Sequence, residues 1–177
     1  MLALVLGGAA SGKSEYAEAL AMSLNAERFY IATMQSYDAE SERRIARHRE
    51  MRRHKGFTTV ERALDLEGLH IEHHGGVALL ECASTLLGNE LCLPGGAAEN
   101  SAASILAGVL NLRKQGLNLV VVSNDVFAEG LDYSPEMTEY VRQLGLLNRS
   151  LAAEADCVVE VVCGLPLYHK GEPRLVD

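Results

Sequence analysis

Gly7-Gly8-Ala9-Ala10-Ser11-Gly12-Lys13-Ser14 fits the pattern G-x-x-x-x-G-K-[ST] at every fixed position, directly after the apolar run Leu2-Ala3-Leu4-Val5-Leu6. A buried strand, a Gly-rich turn and a helix start are the context in which this pattern binds phosphate. Gly7 and Gly12 admit backbone conformations closed to residues with a Cβ. Successive N–H groups can then point inward and cradle phosphate oxygens, and a helix starting near Lys13 adds its positive end. Lys13 is placed to reach the β and γ phosphates, and the Ser14 hydroxyl to hold Mg²⁺. The loop calls for a nucleoside triphosphate and Mg²⁺; it does not name the reaction.

A second set of reactive side chains lies further on. Arg43, Arg44, Arg47, Arg49, Arg52, Arg53 and Lys55 are seven of the 16 Lys and Arg residues, with His48 among them. On a helix, Arg44, His48 and Arg52 follow i, i+4, i+8 and share a face. Guanidinium groups neutralise phosphate, and neighbouring positive charge favours the neutral, nucleophilic imidazole. The bland alternative is a solvated charged face, since Glu40, Glu42 and Glu50 are interspersed. Glu81, closing the apolar run Val77–Leu80, suits a carboxylate that organises Mg²⁺ and its waters. Ser123-Asn124-Asp125 follows the run Val120–Val122, where open α/β sheets bind ligands; a turn capping the next helix explains it equally well. Asp65-Leu66-Glu67-Gly68 matches a GTPase switch pattern, but no apolar strand precedes it. No guanine-reading N-K-x-D, G-x-S-x-G or H-E-x-x-H motif occurs.

These groups need a scaffold. Strand-like runs at Leu2–Leu6, Phe29–Thr33, Phe57–Val60, Val77–Leu80, Leu119–Ser123 and Val158–Cys163 alternate with helical patterns near Lys13–Leu24, Ala39–His54, Ala97–Gln115 and Pro135–Ala153. The strand runs are apolar rather than alternating, as expected for a parallel sheet covered on both faces. The alternation predicts a doubly wound α/β fold with a mostly parallel sheet. Pro94-Gly95-Gly96 marks a loop, Gly116 a helix end, and Lys170–Asp177 a loosely held tail.

The length of 177 residues suits one domain, residues 1–177. A net charge of −8 argues against a nucleic-acid partner held by overall charge. No apolar run approaches the roughly 18 residues of a membrane span, and no signal segment is visible, so the expected location is the cytoplasm. Cys82, Cys92, Cys157 and Cys163 form no C-x-x-C pair; buried free thiols are expected, and no zinc site.

Taken in order, these blocks resemble the bifunctional adenosylcobinamide kinase / adenosylcobinamide-phosphate guanylyltransferase family of cobalamin assembly. The resemblance runs from Leu6–Ser14 through Tyr30-Ile31-Ala32-Thr33, Arg44-Ile45-Ala46-Arg47-His48-Arg49, Arg52-Arg53 and Thr59-Val60-Glu61. It continues in Leu79-Leu80-Glu81-Cys82, Asn89, Ser123-Asn124-Asp125-Val126, Leu144-Gly145, Asn148, Ala155-Asp156, Gly164-Leu165-Pro166-Leu167 and Lys170. It implies a RecA-like P-loop fold, phosphorylation of adenosylcobinamide by ATP or GTP, and then transfer of GMP from GTP through a histidine to give adenosylcobinamide-GDP. It puts His48 at the position of that histidine and Gly7–Ser14 on the phosphate loop. Thr33, Met34, Gln35, Arg49, Glu50, Met51, Arg52, Glu61 and Glu81 fall on nucleotide-binding positions, and the resemblance implies a homotrimer. Arg44 and Arg52 are the helical-face candidates for stabilising charge on the phosphoryl oxygens, and Ser14 and Glu81 for Mg²⁺. Ala10 stands where family loops often carry Arg. Two other readings remain at this level: a small-molecule kinase without guanylyl transfer, or a GTP-binding regulatory module. A transferase whose kinase half has decayed is a third.

Overall fold

A computed structural model describes residues 1–36, 42–43, 46, 49–50, 53–125 and 133–173. Seven strands form one sheet in the order β3-β2-β4-β5-β1-β6-β7. They are β1 (Leu2–Leu6), β2 (Glu27–Ala32), β3 (Phe57–Glu61), β4 (Gly76–Glu81), β5 (Asn118–Val122), β6 (Cys157–Val162) and β7 (Leu165–Lys170). Every pairing is parallel except the β6–β7 hairpin. Helices α1 (Lys13–Ser23), α2 (Ala83–Cys92), α3 (Ser101–Lys114) and α4 (Pro135–Glu154) cover it.

Strand alternation divides the core in two. Ala3 and Val5 of β1, with Leu79, Val120 and Val159, pack beneath Ala17, Leu20 and Ala21 of α1. Leu2 and Leu4, with Leu80, Leu119 and Val121, pack on the other face under α2, α3 and α4 through Leu86, Leu87, Ile105, Leu112, Leu144, Leu147 and Leu151. The expected doubly wound arrangement is therefore present. β1 leads to α1 on one face and β5 leads towards α4 on the other, so the chain diverges between these neighbouring strands. That divergence opens a crevice at their carboxyl ends.

Local chemistry sets the ends. Ser134 caps α4, its hydroxyl accepting from the Met137 N–H, with Pro135 at the first helical position. Gly116, at φ 94°, closes α3 as expected.

Two elements were not expected. α2 is short and buries polar residues (Ser84, Asn89, Glu90) along with its leucines, so no solvent-facing polar stripe betrays it; the Cys82 sulfur caps it by accepting from the Thr85 N–H. β7 is an edge strand with Leu165, Leu167 and Tyr168 exposed. It returns through a two-residue turn, Cys163-Gly164, with positive φ at both positions, the geometry that joins tight hairpins. The expected loose tail is thus corrected at its start: Lys170 ends β7, and its ammonium donates to the Ala152 and Ala153 carbonyls at the end of α4. Cys157 is buried as expected, but Cys92 and Cys163 are exposed and Cys82 is half-buried. Among the described residues no helix is long and apolar enough to cross a membrane.

Candidate active site

The phosphate loop sits at the carboxyl end of β1, held from three sides. The Gly164 N–H donates to the Ser11 carbonyl at 2.8 Å, and the Asp125 N–H to the Gly7 carbonyl at 3.2 Å. Gly7 has no room for a side chain, because a Cβ would lie 2.7 Å from the Val161 carbonyl. Gly12, at φ 92°, is the residue from which α1 departs. Gly8, Ala9 and Ala10 form the exposed crest, while Ser11 is buried. Ala10 adopts a left-handed φ of 55° that glycine would take without strain. The Lys13 ammonium lies over the loop, donating to the Gly8 carbonyl at 2.9 Å. Its positive charge and the α1 N-terminus therefore converge on the same crest.

Ser14 and Glu81 meet. The Ser14 hydroxyl donates to Glu81 Oε1 at 2.5 Å, and Glu81 Oε2 is buried with no hydrogen-bond partner among the described residues. A serine hydroxyl beside a carboxylate that retains an unused oxygen fits Mg²⁺, which keeps several waters and binds few protein groups alongside substrate phosphates. A closed all-protein metal cage is a different arrangement, and among the described residues no three His, Cys, Asp or Glu gather to form one.

Alongside lies an open pocket of about 630 Å³ at the ends of β2 and β3. Met34, Gln35, Arg49 and Glu61 line it, together with Ser36, Glu42 and Arg62, which sequence reasoning missed. Arg49 forms an ion pair with Glu61, and the Ser36 hydroxyl donates to Glu42. Glu42, Arg43, Ala46, Arg49 and Glu50 are helical, as the pattern at 39–54 predicts. The pocket thus offers both a guanidinium and carboxylates: the first matches phosphate or a base carbonyl, the second the amino and ring N–H groups of a purine.

The other expected residues fall as follows. Thr33 is fully buried. Its hydroxyl donates to the Glu81 and Cys82 carbonyls and accepts from the Cys82 N–H, so it ties the ends of β2 and β4 together. Glu50 pairs with Arg53 across 3.6 Å on an exposed face. Lys55 of the basic cluster pairs with Glu18 of α1, and its carbonyl accepts from Arg28. Ser123 is buried against Asn148, and Asn124 donates to Ser84, which also binds Tyr140 through its carbonyl. Burial pushes the Tyr140 phenol up to about 12, keeping it a donor. His48, Arg44, Met51 and Arg52 lie outside the described residues.

Known proteins share the sequence pattern and the fold. Residues 3–168 match the family model described as cobinamide kinase / cobinamide phosphate guanyltransferase. The chain is 35% identical over 173 residues to the bifunctional adenosylcobalamin biosynthesis protein CobP of Pseudomonas aeruginosa, covering 96% of this chain and 98% of that one. It is 36% identical over 186 residues to the bifunctional adenosylcobalamin biosynthesis protein CobU of Escherichia coli, covering 96% and 100%. Among solved structures, a KaiC-like protein of Pyrococcus horikoshii aligns with a TM-score of 0.52 at 11% identity, over 99% of this chain and 82% of that one. At that identity the likeness is one of fold, and the fold is the expected RecA-like P-loop sheet.

Proposed function

Because the chain belongs to the cobinamide kinase / cobinamide phosphate guanyltransferase family, we propose that its single domain carries out both reactions at the carboxyl edge of this sheet. Its substrates are adenosylcobinamide and ATP or GTP. The observation that carries the reading is the Ser14–Glu81 pair at the mouth of the phosphate loop, with the Arg49–Glu61 pocket on the adjoining strands.

In the first step the acceptor hydroxyl of adenosylcobinamide attacks the γ-phosphorus, the bond to the β-phosphate bridging oxygen breaks, and the nucleoside diphosphate leaves. The loop N–H groups and Lys13 hold the triphosphate and take up negative charge on the leaving oxygen. Ser14 and Glu81 would hold Mg²⁺, which when bound would supply positive charge to offset that of the phosphates. In the second step a nitrogen of His48 attacks the α-phosphorus of GTP and pyrophosphate leaves. An oxygen of the cobinamide phosphate then attacks the same phosphorus, the P–N bond breaks, and adenosylcobinamide-GDP is released. Arg49, next in sequence to His48 and a lining residue of the pocket, supports this assignment; Arg44 and Arg52 stabilise the phosphoryl charge. Met34, Gln35 and Glu61 contact the nucleotide from the pocket walls, with Thr33, Glu50 and Met51 on the flanking segments. The enzyme works as a homotrimer in the cytoplasm.

The test is intact-mass spectrometry after incubation with Mg²⁺ and GTP, beside His48→Ala. Wild type should gain one GMP and the variant none, while the variant keeps ATP-dependent phosphorylation of adenosylcobinamide. A wild type that takes no GMP but still phosphorylates the corrinoid would reduce the reading to a kinase. Equal loss of both activities in a folded variant would overturn the separate role of His48.

A further inference from the structure

Asn89 touches neither the phosphate loop nor the pocket's open space, yet it joins the two walls of that pocket. It lies on α2 and is 7% exposed. Its amide nitrogen donates to the Thr33 carbonyl at 2.8 Å and to the Ala63 carbonyl at 3.1 Å. Thr33 begins the segment after β2 that carries Met34 and Gln35; Ala63 follows Glu61 and Arg62 at the exit of β3. One NH₂ group has two hydrogens, and here each finds a main-chain acceptor from a different wall. No aliphatic side chain can do this, and a carboxylate would face two carbonyls.

The next residue strengthens the grip. Glu90 is 2% exposed, and its two carboxylate oxygens accept from the Asp65 N–H at 2.7 Å and the Ala97 N–H at 2.8 Å. Arg62 in turn donates to Asp65, through both its carbonyl and its carboxylate. α2 begins directly after Glu81-Cys82, whose main chain binds Thr33. A single short helix therefore connects the carboxylate beside Ser14 with both walls of the nucleotide pocket.

We propose that Asn89 is a positioning residue for the nucleotide, setting the spacing between the Met34–Gln35 wall and the Glu61–Arg62 wall; this rests on the nucleotide reading of the pocket. Its loss lets the walls separate, which weakens nucleotide binding in ground and transition states alike and so appears in KM more than in kcat.

The experiment compares wild type with Asn89→Leu and Asn89→Ser, measuring the GTP dissociation constant with Mg²⁺ by titration, GTP and corrinoid KM, kcat and thermal unfolding. The expected result is a GTP dissociation constant and KM raised about tenfold or more in Asn89→Leu, a kcat that falls less than KM rises, and an unchanged corrinoid KM. Asn89→Ser, which keeps one short donor, should fall between; if the leucine variant does not fold, the serine variant reads the same split. An unchanged GTP dissociation constant in folded variants, even with a lowered melting temperature, overturns the proposal, as does a kcat loss at constant KM. A wild type that binds GTP but converts no corrinoid sinks the two-step reading alone, while the binding comparison still decides Asn89. A wild type that binds no GTP sinks both.

Discussion

Glu61 and Glu81 stand abreast on either side of Ala32, at the last position of three neighbouring parallel strands. Two strand spacings put their Cα atoms about 10 Å apart, and residues level in a parallel sheet point to the same face. Ala32 packs on the α1 side, so both acids project there, Glu81 to Ser14 and Glu61 to Arg49. The row sets the separation between the carboxylate bound to Ser14 and the pocket.

Glu81→Gln keeps the shape of the side chain and removes its charge. Both Mg²⁺-dependent activities should fall by about 100-fold or more, with a higher Mg²⁺ requirement and little change in melting temperature. Steady-state assays across a Mg²⁺ series check this; full activity at ordinary Mg²⁺ would remove Glu81 from the site.

The Arg49–Glu61 pair is more than half exposed on both sides, so its contribution to folding is about 0–1 kcal/mol. A charged hydrogen bond to bound nucleotide is worth about 1.5–3 kcal/mol. Arg49→Ala should therefore leave thermal unfolding nearly unchanged and raise the GTP KM roughly 10- to 100-fold. A variant with lowered stability and unaltered KM would make the pair a structural one.

Asp156 accepts the Leu2 N–H at 2.7 Å and pairs with Arg113 at 3.1 Å. The Leu2 bond first, and the Arg113 charge after it, hold the carboxyl below its usual range. A depressed carboxylate stabilises the fold above its unfolded pKa of about 3.9 and loses that contribution as pH falls through the lower folded value. Asp156→Asn should cost about 1–2 kcal/mol at neutral pH. The gap from wild type should close under acid, measured by urea unfolding at pH 7 and pH 3. A gap of constant size across that range would refute the assignment.

Lys55 neutralises Glu18, whose side chain is 5% exposed within α1. Lys55→Met strands a buried charge and should destabilise by about 3 kcal/mol, whereas Glu18→Leu with Lys55→Met should recover much of that loss. Chemical denaturation of the two variants decides it; a single variant as stable as wild type would mean the pair is solvated.

Much of this was legible in the residues because the signals were local. The phosphate loop declares itself through glycine spacing, and β1, β4, β5 and β6 through short, mostly apolar runs such as strands buried on both faces carry. The carboxylate for Ser14 could be read from its place at a strand end. The pocket could not, since Ser36, Glu42 and Arg62 line it only because β2 and β3 pair in parallel and end level. The role of Asn89 was equally hidden: its acceptors are carbonyls, which every residue possesses. α2 buries its polar residues Ser84, Asn89 and Glu90, which blurs its periodicity, and β7 contains Pro166 and faces solvent. The basic cluster divides in space, with Arg49 in the pocket, Arg53 paired to Glu50 on an exposed face and Lys55 bound to Glu18 of α1, a division that spacing alone does not express.

The contact from Gly164 to Ser11 bears on how the molecule comes into being. The loop near the start of the chain is buttressed by a hairpin near its end, and β1 lies between β5 and β6, both made much later. During synthesis β1 is made well before β5 and β6, so its two edges stay unpaired until both have followed. Such long-range closure is slow, and the loop gains its Gly164 buttress only once the β6–β7 hairpin has formed. A phosphate-binding loop shaped in this way would depend on the pairing of β6 with β7, far from it in sequence.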